Sequence, residues 1–406
     1  MKISMETARK LALWKQGFHS WPNRGKRHVL EVIRRLGCVQ IDTINVVERS
    51  HYLALWSRLG TYKKEYLDQL LYPDRKVFEF WAHAACVIPV EHYRYYIHPM
   101  MRHRRELKAR AERWLKEKAY LLDQVLDEIR QKGPMSSSDF KDEGKRRRRG
   151  WWDWKPAKTA LEMLFNSGIL MVAYRRNFQR YYDLTENVLP SHISTTEPTE
   201  EERRRFFICK TIDALGVAKL RDVSSYYYQW STRASLSGEV LEKTFQQLLI
   251  DDVLGEVTIE GVREPHYMLS SDYEVAQKVD EGEIGSFDEV TFLSPFDNLT
   301  WSKDRDKTLF NFVPKLEAYI PKDERKYGYY NMSILYKDRL IGRLDPKAHR
   351  DKRLLEIKLL HLEEDFKPDR EFEGKLADAF RSFMEFNEAE GIQFGKIVPG
   401  NIRLTI

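Results

Sequence analysis

The chain has 406 residues, 42% of them apolar and 32% charged, with a formal net charge of +6. That balance excludes a disordered chain, and the length favours several domains over one small core. Three scattered cysteines (Cys38, Cys86 and Cys209) exclude a disulfide framework and a paired CxxC zinc knuckle, and no apolar run reaches the roughly 18 residues that a membrane helix needs.

Residues 7–16 predict an amphipathic helix, with Ala8, Leu11, Ala12 and Trp14 on or near one face. No small-residue cleavage site accompanies it, so no signal peptide is expected, and a cytoplasmic, nucleoid-associated location fits. A second helix, 29–36, stops at Gly37. The run that follows, Cys38-Val39-Gln40-Ile41-Asp42, alternates like a short half-buried strand. On an extended backbone Gln40 and Asp42 face the same way, backed by Val39 and Ile41. Short helices are expected at 66–72 and 91–96, flanking a loop at 81–89.

Residues 121–131, 136–140 and 157–165 predict three helices, and 169–175 with 179–184 a hairpin turning at Arg176-Asn177-Phe178. Helix, helix, helix, hairpin is the winged helix-turn-helix order. The same order recurs in helices 206–214, 220–228 and 238–249 and in strands 253–259 and 265–269. Residues 190–198 predict a linker. From about residue 283 the pattern turns to strands, at 315–320, 327–335, 339–344 and 354–361, then a helix over 372–388 and a last strand at 392–397. The expected fold is therefore α+β: tandem winged-helix units followed by a C-terminal β-barrel-like domain capped by a helix. The boundaries are 1–115 (winged-helix-like, carrying Gln40 and Asp42), 116–190, 199–280 and 286–406.

Basic residues cluster at 102–118, 145–149, 175–180 and 203–205. Each cluster reads either as a polyanion contact or as a solvated helix face. Gln40 and Asp42 also have two readings. An Asp of ordinary pKa near ~3.9 is anionic at neutral pH and, beside an amide, could hold a water, take its proton, or stabilise positive charge on a sugar. Alternatively the pair caps backbone groups, with Asp42-Thr43 opening the next helix. His83 either lines a site or is a buried structural histidine; with Cys86 it makes one His–Cys pair without a second, so no metal is expected. Asn45, Arg49, Ser50 and His51 follow closely enough to approach the same cleft, Arg49 either as a phosphate ligand or in an ion pair. Arg146, Arg147, Arg148 and Arg149 precede Trp151, Trp152 and Trp154, which suit core packing or stacking. With Lys155, Lys158, and Arg175, Arg176 and Asn177 at the wing, these basic residues are the DNA-contact candidates. The Tyr226-Tyr227-Tyr228-Trp230 stripe reads as packing.

Several motifs together carry a resemblance. GCVQIDTINVVERSHYLALWSRLG (37–60), EFWAHAACVIP (79–89), the segment 148–185, LSPFDNLTW (293–301), YGYY (327–330) and DRLIGRLDPKAHR (338–350) are spaced over nearly the whole chain. They closely resemble the bacterial AlkZ/YcaQ winged-helix DNA glycosylases. The resemblance implies excision of N7-alkylated purines and unhooking of interstrand crosslinks in damaged double-stranded DNA. One branch of the family carries Gln-x-Gln and another Gln-x-Asp; Gln40-Ile41-Asp42 is of the second, crosslink-unhooking form. Asp42 and Gln40 are then the catalytic pair of a monofunctional, monomeric hydrolase without cofactor. A non-catalytic winged-helix DNA-binding protein or transcription regulator would share the basic clusters and wings but have no use for the QID triplet. A carboxylate-dependent nuclease lacks its cluster of acids.

Overall fold

The computed structural model describes residues 1–19, 21, 23–140, 155–227, 238–285 and 287–406. Contacts divide the chain into two units. One comprises Met1–Leu67, Trp81–Val87 and Arg204–Ile406, the other Asp68–Phe80 and Ile88–Arg203.

In the first unit, the helix Met5–Lys15 is capped by Ser4, whose hydroxyl accepts the Thr7 N–H at 3.0 Å. The strand Lys2–Ile3 pairs in parallel with Leu254–Ile259, which pairs antiparallel with His266–Leu269. Ile3, Leu11, Phe18, Val257, Met268, Leu293, Leu309 and Leu335 share one buried cluster, so distant blocks of sequence build a single core. The helix Lys26–Leu36 buries Val29, Val32, Ile33 and Leu36 along one stripe. It stops at Gly37, whose φ of 74° is the left-handed conformation that glycine adopts most easily. A Cβ there would also meet the Tyr227 hydroxyl at 2.7 Å. The chain then enters the strand Val39–Gln40.

The C-terminal part holds a five-stranded sheet in the order Gly391–Val398, Leu354–Leu362, Arg339–His349, Met332–Tyr336, Val290–Leu293. All neighbours are antiparallel except the first two, which are parallel across the helix Arg370–Phe386. That helix lays Phe380 and Phe383 against Phe292, with ring centroids 4.9 and 5.4 Å apart. The sheet is open, and among the described residues no barrel closes. Residues 315–320 form no strand; the edge strand beside Met332–Tyr336 is supplied by Val290–Leu293 instead. A parallel edge pair also needs a long crossover, and the helix provides it.

In the second unit the helices Leu121–Lys132 and Lys155–Asn166 precede a hairpin, Leu170–Arg176 with Gln179–Leu184. Asn177 and Phe178 form its two-residue turn, at φ 49° and 66°. Positive φ at both positions matches the strand twist. The helix expected over 136–140 is a turn: the Asp139 carboxylate accepts both the N–H and the hydroxyl of Ser136 at 2.8 Å, an alternative to helical bonding. A bridge joins Met135 to Tyr182 beside this hairpin, and another joins Ala218 to Tyr267 beside the hairpin of the first unit. The repeated order thus extends to a third, single-residue strand that periodicity does not show. No helix among the described residues is long and apolar enough to cross a membrane.

Candidate active site

The strand Val39–Gln40 pairs antiparallel with Ala85–Pro89, Val39 opposite Val87 and Gln40 opposite Cys86. The Ile41 N–H extends the ladder to the Ala85 carbonyl at 2.7 Å. Val39, Gln40 and Ile41 are all buried, so the run lacks the half-exposed alternation expected of it. Asp42 is half-buried and lies beyond the strand.

Residues 41–49 are neither helix nor strand, and the next helix is Ser50–Leu59. Asp42 therefore opens no helix. Its Oδ1 accepts the Ile44 N–H at 2.8 Å, a tight side-chain turn, and no other protein hydrogen-bond partner of this carboxylate occurs among the described residues. The fully buried Tyr330 is close enough for their charges to be felt: burial raises the pKa of its hydroxyl, and the fields of Asp42 and Glu48 add to the rise. Tyr330 and Ser294 share a hydroxyl–hydroxyl bond of 3.1 Å. Glu48 is occupied by Lys64, at 2.6 Å.

Three side chains hold the main chain on either side of Gln40. The Ser50 hydroxyl donates to the Gln40 carbonyl at 2.7 Å. Asn298 Nδ2 donates to the Cys38 carbonyl at 2.8 Å and to the Tyr226 hydroxyl at 2.9 Å, and that hydroxyl donates to the Leu36 carbonyl at 2.7 Å. Beside Asn298, Asp297 takes both ends of the Arg58 guanidinium at 2.8 and 2.9 Å, with neither side chain exposed. Arg58 also reaches Gln16 through its carbonyl and its side-chain oxygen. A buried ion pair is tolerable only with its remaining donors and acceptors satisfied in this way.

His83 is bound into the same support. Its Nδ1 lies 3.0 Å from the Ser225 carbonyl and 3.3 Å from that of Tyr226, so this nitrogen carries the proton. The ring stacks on Trp301, centroids 4.0 Å apart and planes 5° apart. Burial lowers its pKa, despite the two carbonyls. The ring is half-buried, held at Nδ1 and on one face. Cys38 and Cys86 are both buried, and burial raises the Cys38 thiol pKa well above its ordinary value. Among the described residues no group of three or more His, Cys, Asp or Glu could hold a metal ion.

Of the other site candidates, Asn45 is exposed and its Oδ1 accepts from Arg350 at 2.8 Å. Arg49 donates to the Thr43 carbonyl at 3.4 Å, within the turn itself. His51 is buried against the Tyr52 ring at 4.3 Å. The wing candidates belong to the second unit, where the structure separates them. Arg175 forks onto the buried Glu79 at 2.7 and 2.6 Å and donates to the Phe178 carbonyl at 2.7 Å. These three bonds engage its charge within the unit. Arg176 and Asn177 are exposed at the hairpin tip, and Lys158 is exposed on its helix. Arg146, Arg147, Arg148 and Arg149, with Trp151, Trp152 and Trp154, lie outside the described residues, as do the Lys155 side chain, Tyr228 and Trp230.

The support residues Arg58, Asp297 and Asn298 carried no role in the sequence, and Tyr226 was expected only to pack. LSPFDNLTW stands out there as a motif, but no local pattern shows that its Asn reaches the Cys38 carbonyl, 260 positions away. Comparison with known proteins agrees with this architecture. The α+β fold is similar to that of the Streptomyces sahachiroi DNA glycosylase AlkZ, with a TM-score of 0.67 at 16% identity, covering 98% of this chain and 100% of that one. Residues 33–386 match the family model described as DNA glycosylase AlkZ-like. That match takes in the Gln40–Asp42 turn, its supporting residues and most of both units, and the chain belongs to the AlkZ-like DNA glycosylase family.

Proposed function

We propose that this DNA glycosylase hydrolyses the N-glycosidic bond of N7-alkylated purines, unhooks interstrand crosslinks made through them, and is monofunctional. One observation carries the reading: the Asp42 carboxylate is oriented by a single N–H bond to Oδ1, beside a buried Gln40, on a main chain held from both sides. Such a carboxylate has an oxygen left for a water or a sugar.

The chemistry follows from charge. An N7-alkylated guanine is cationic, and when the bond from C1′ to N9 breaks it keeps the electron pair and leaves as a neutral base. It needs no strong acid. The deoxyribose left behind is oxocarbenium-like, and the Asp42 anion stabilises it. A water adds to C1′ and gives its proton to Asp42, which returns it to solvent. Gln40 can donate and accept, and orients that water or the sugar. No lysine amine is needed, and the product is an abasic site. A base tethered to the opposite strand cannot swing freely into a deep pocket, unlike the targets of base-flipping enzymes, so a half-buried carboxylate on a turn suits it. The helix–bridge–helix–hairpin order supports tandem winged-helix units that grip duplex DNA, with Arg146–149, Lys155, Lys158, Arg176 and Asn177 as phosphate contacts.

The test is a duplex carrying N7-methylguanine or a nitrogen-mustard crosslink, incubated with protein and then treated with alkali. Strand breaks at the modified guanine are expected, and their loss in Asp42→Asn with duplex binding intact. Tight binding without breaks on either substrate would instead identify a non-catalytic DNA-binding protein.

A further inference from the structure

The turn after Gln40 is also held by a group that the proposed reaction does not use. The strand Arg339–His349 runs into a short 3-10 turn beginning at Arg350. The Ala348 N–H donates to the Val46 carbonyl at 2.9 Å. The Arg350 guanidinium then spans the turn. Nη2 donates to Asn45 Oδ1 at 2.8 Å and to the Val47 carbonyl, and Nη1 donates to the Asn45 carbonyl at 3.4 Å. Arg350 is exposed, yet among the described residues no carboxylate pairs with it. Its donors go to three oxygens of one loop.

That loop carries the carboxylate. Asn45 follows Ile44, whose N–H orients Asp42 Oδ1 at 2.8 Å. Holding the chain at Asn45 and Val47 therefore limits how far the neighbouring Ile44 N–H, the donor that aims Asp42, can move. We infer that Arg350 is a positioning residue for Asp42, acting through Asn45 and Ile44, and this rests on the proposed role of Asp42. The planar fork of an arginine suits the task, because several donors at fixed angles can meet three oxygens together. A lysine at this position reaches fewer of them. The motif ending in Ala348-His349-Arg350 thereby gains a role: it ties the C-terminal sheet to the reacting turn.

The experiment uses the full chain and a duplex with a single N7-methylguanine. Single-turnover excision at saturating protein is measured beside duplex affinity, its salt dependence and the melting temperature. Arg350→Ala is expected to slow excision by about 10- to 100-fold, the scale of a misplacement of roughly 1 Å, with affinity and salt slope unchanged. Arg350→Lys should keep part of the rate. Added guanidinium ion should restore part of the rate to Arg350→Ala and none to Asp42→Asn. Asn45→Ala, which removes one exposed acceptor, should slow excision in the same direction by less. If Asp42→Asn is inactive while Arg350→Ala excises at the wild-type rate, the positioning role is overturned and the proposed reaction stands. If Asp42→Asn excises normally, both fall. A weaker affinity with a shallower salt slope and an unchanged bound rate would make Arg350 a phosphate ligand and overturn the inference.

Discussion

Single hydrogen bonds to main-chain carbonyls decide where the Gln40 and Asp42 side chains go. Ser50 is buried and its hydroxyl meets the Gln40 carbonyl. Ser50→Ala is therefore expected to cost about 1–3 kcal/mol of stability, the scale of a buried acceptor left without its donor. Urea unfolding checks this; an unchanged midpoint together with lost excision would make Ser50 a substrate-facing group instead. That Ser50 lies near Gln40 was legible from their closeness in sequence. That it faces the backbone, not the cleft, was not, because the irregular turn at 41–49 sets the direction in which the chain returns. Asn298 was legible only as part of a motif. A buried amide needs partners, but the sequence does not say which of many carbonyls supplies them.

Among the elements, the hairpin of the second unit shows both sides of this. Its alternation and its turn at Asn177 and Phe178 were readable, because period two and turn chemistry are local. The partner of Arg175 was not readable from its position near the tip, because Glu79 lies 96 residues away. Burial pushes the Glu79 carboxyl pKa up, but the Arg175 hydrogen bond and the Arg175 and Arg180 charges outweigh it and hold the value at about 2, below the ordinary 4.5. A depressed carboxyl contributes stability that is fully present above the unfolded value and is lost as pH falls through the folded one. Acid unfolding of the second unit should thus steepen between pH 4.5 and about 2. Glu79→Gln should flatten that window and cost about 3–5 kcal/mol at neutral pH, since two arginines lose their buried counter-charge. Circular dichroism against pH for both proteins measures it; identical acid profiles would contradict the assignment.

At the scale of the molecule, the first unit is built from segments far apart in the chain. Ile3 is 3% exposed and packs in one cluster with residues from Leu11 to Leu340. Ile3→Ala should cost about 2–5 kcal/mol, checked by the urea midpoint; a loss below this range would mean that the strand Lys2–Ile3 is dispensable to that core. The sequence by itself determined the α+β class, most helices and hairpins, and the QID triplet as the place to look, because periodicity, caps and turn residues act over a few positions. The tertiary structure alone decided that the C-terminal sheet is open, that the first strand joins the third block, and that Asn298, Ser50 and Arg350 hold the segment from Cys38 to Val47 at its Cys38, Gln40 and Asn45 positions. The physical reason is that strand partners and hydrogen-bond partners hundreds of residues apart are chosen by what packing brings within about 3 Å, and no local pattern records that choice.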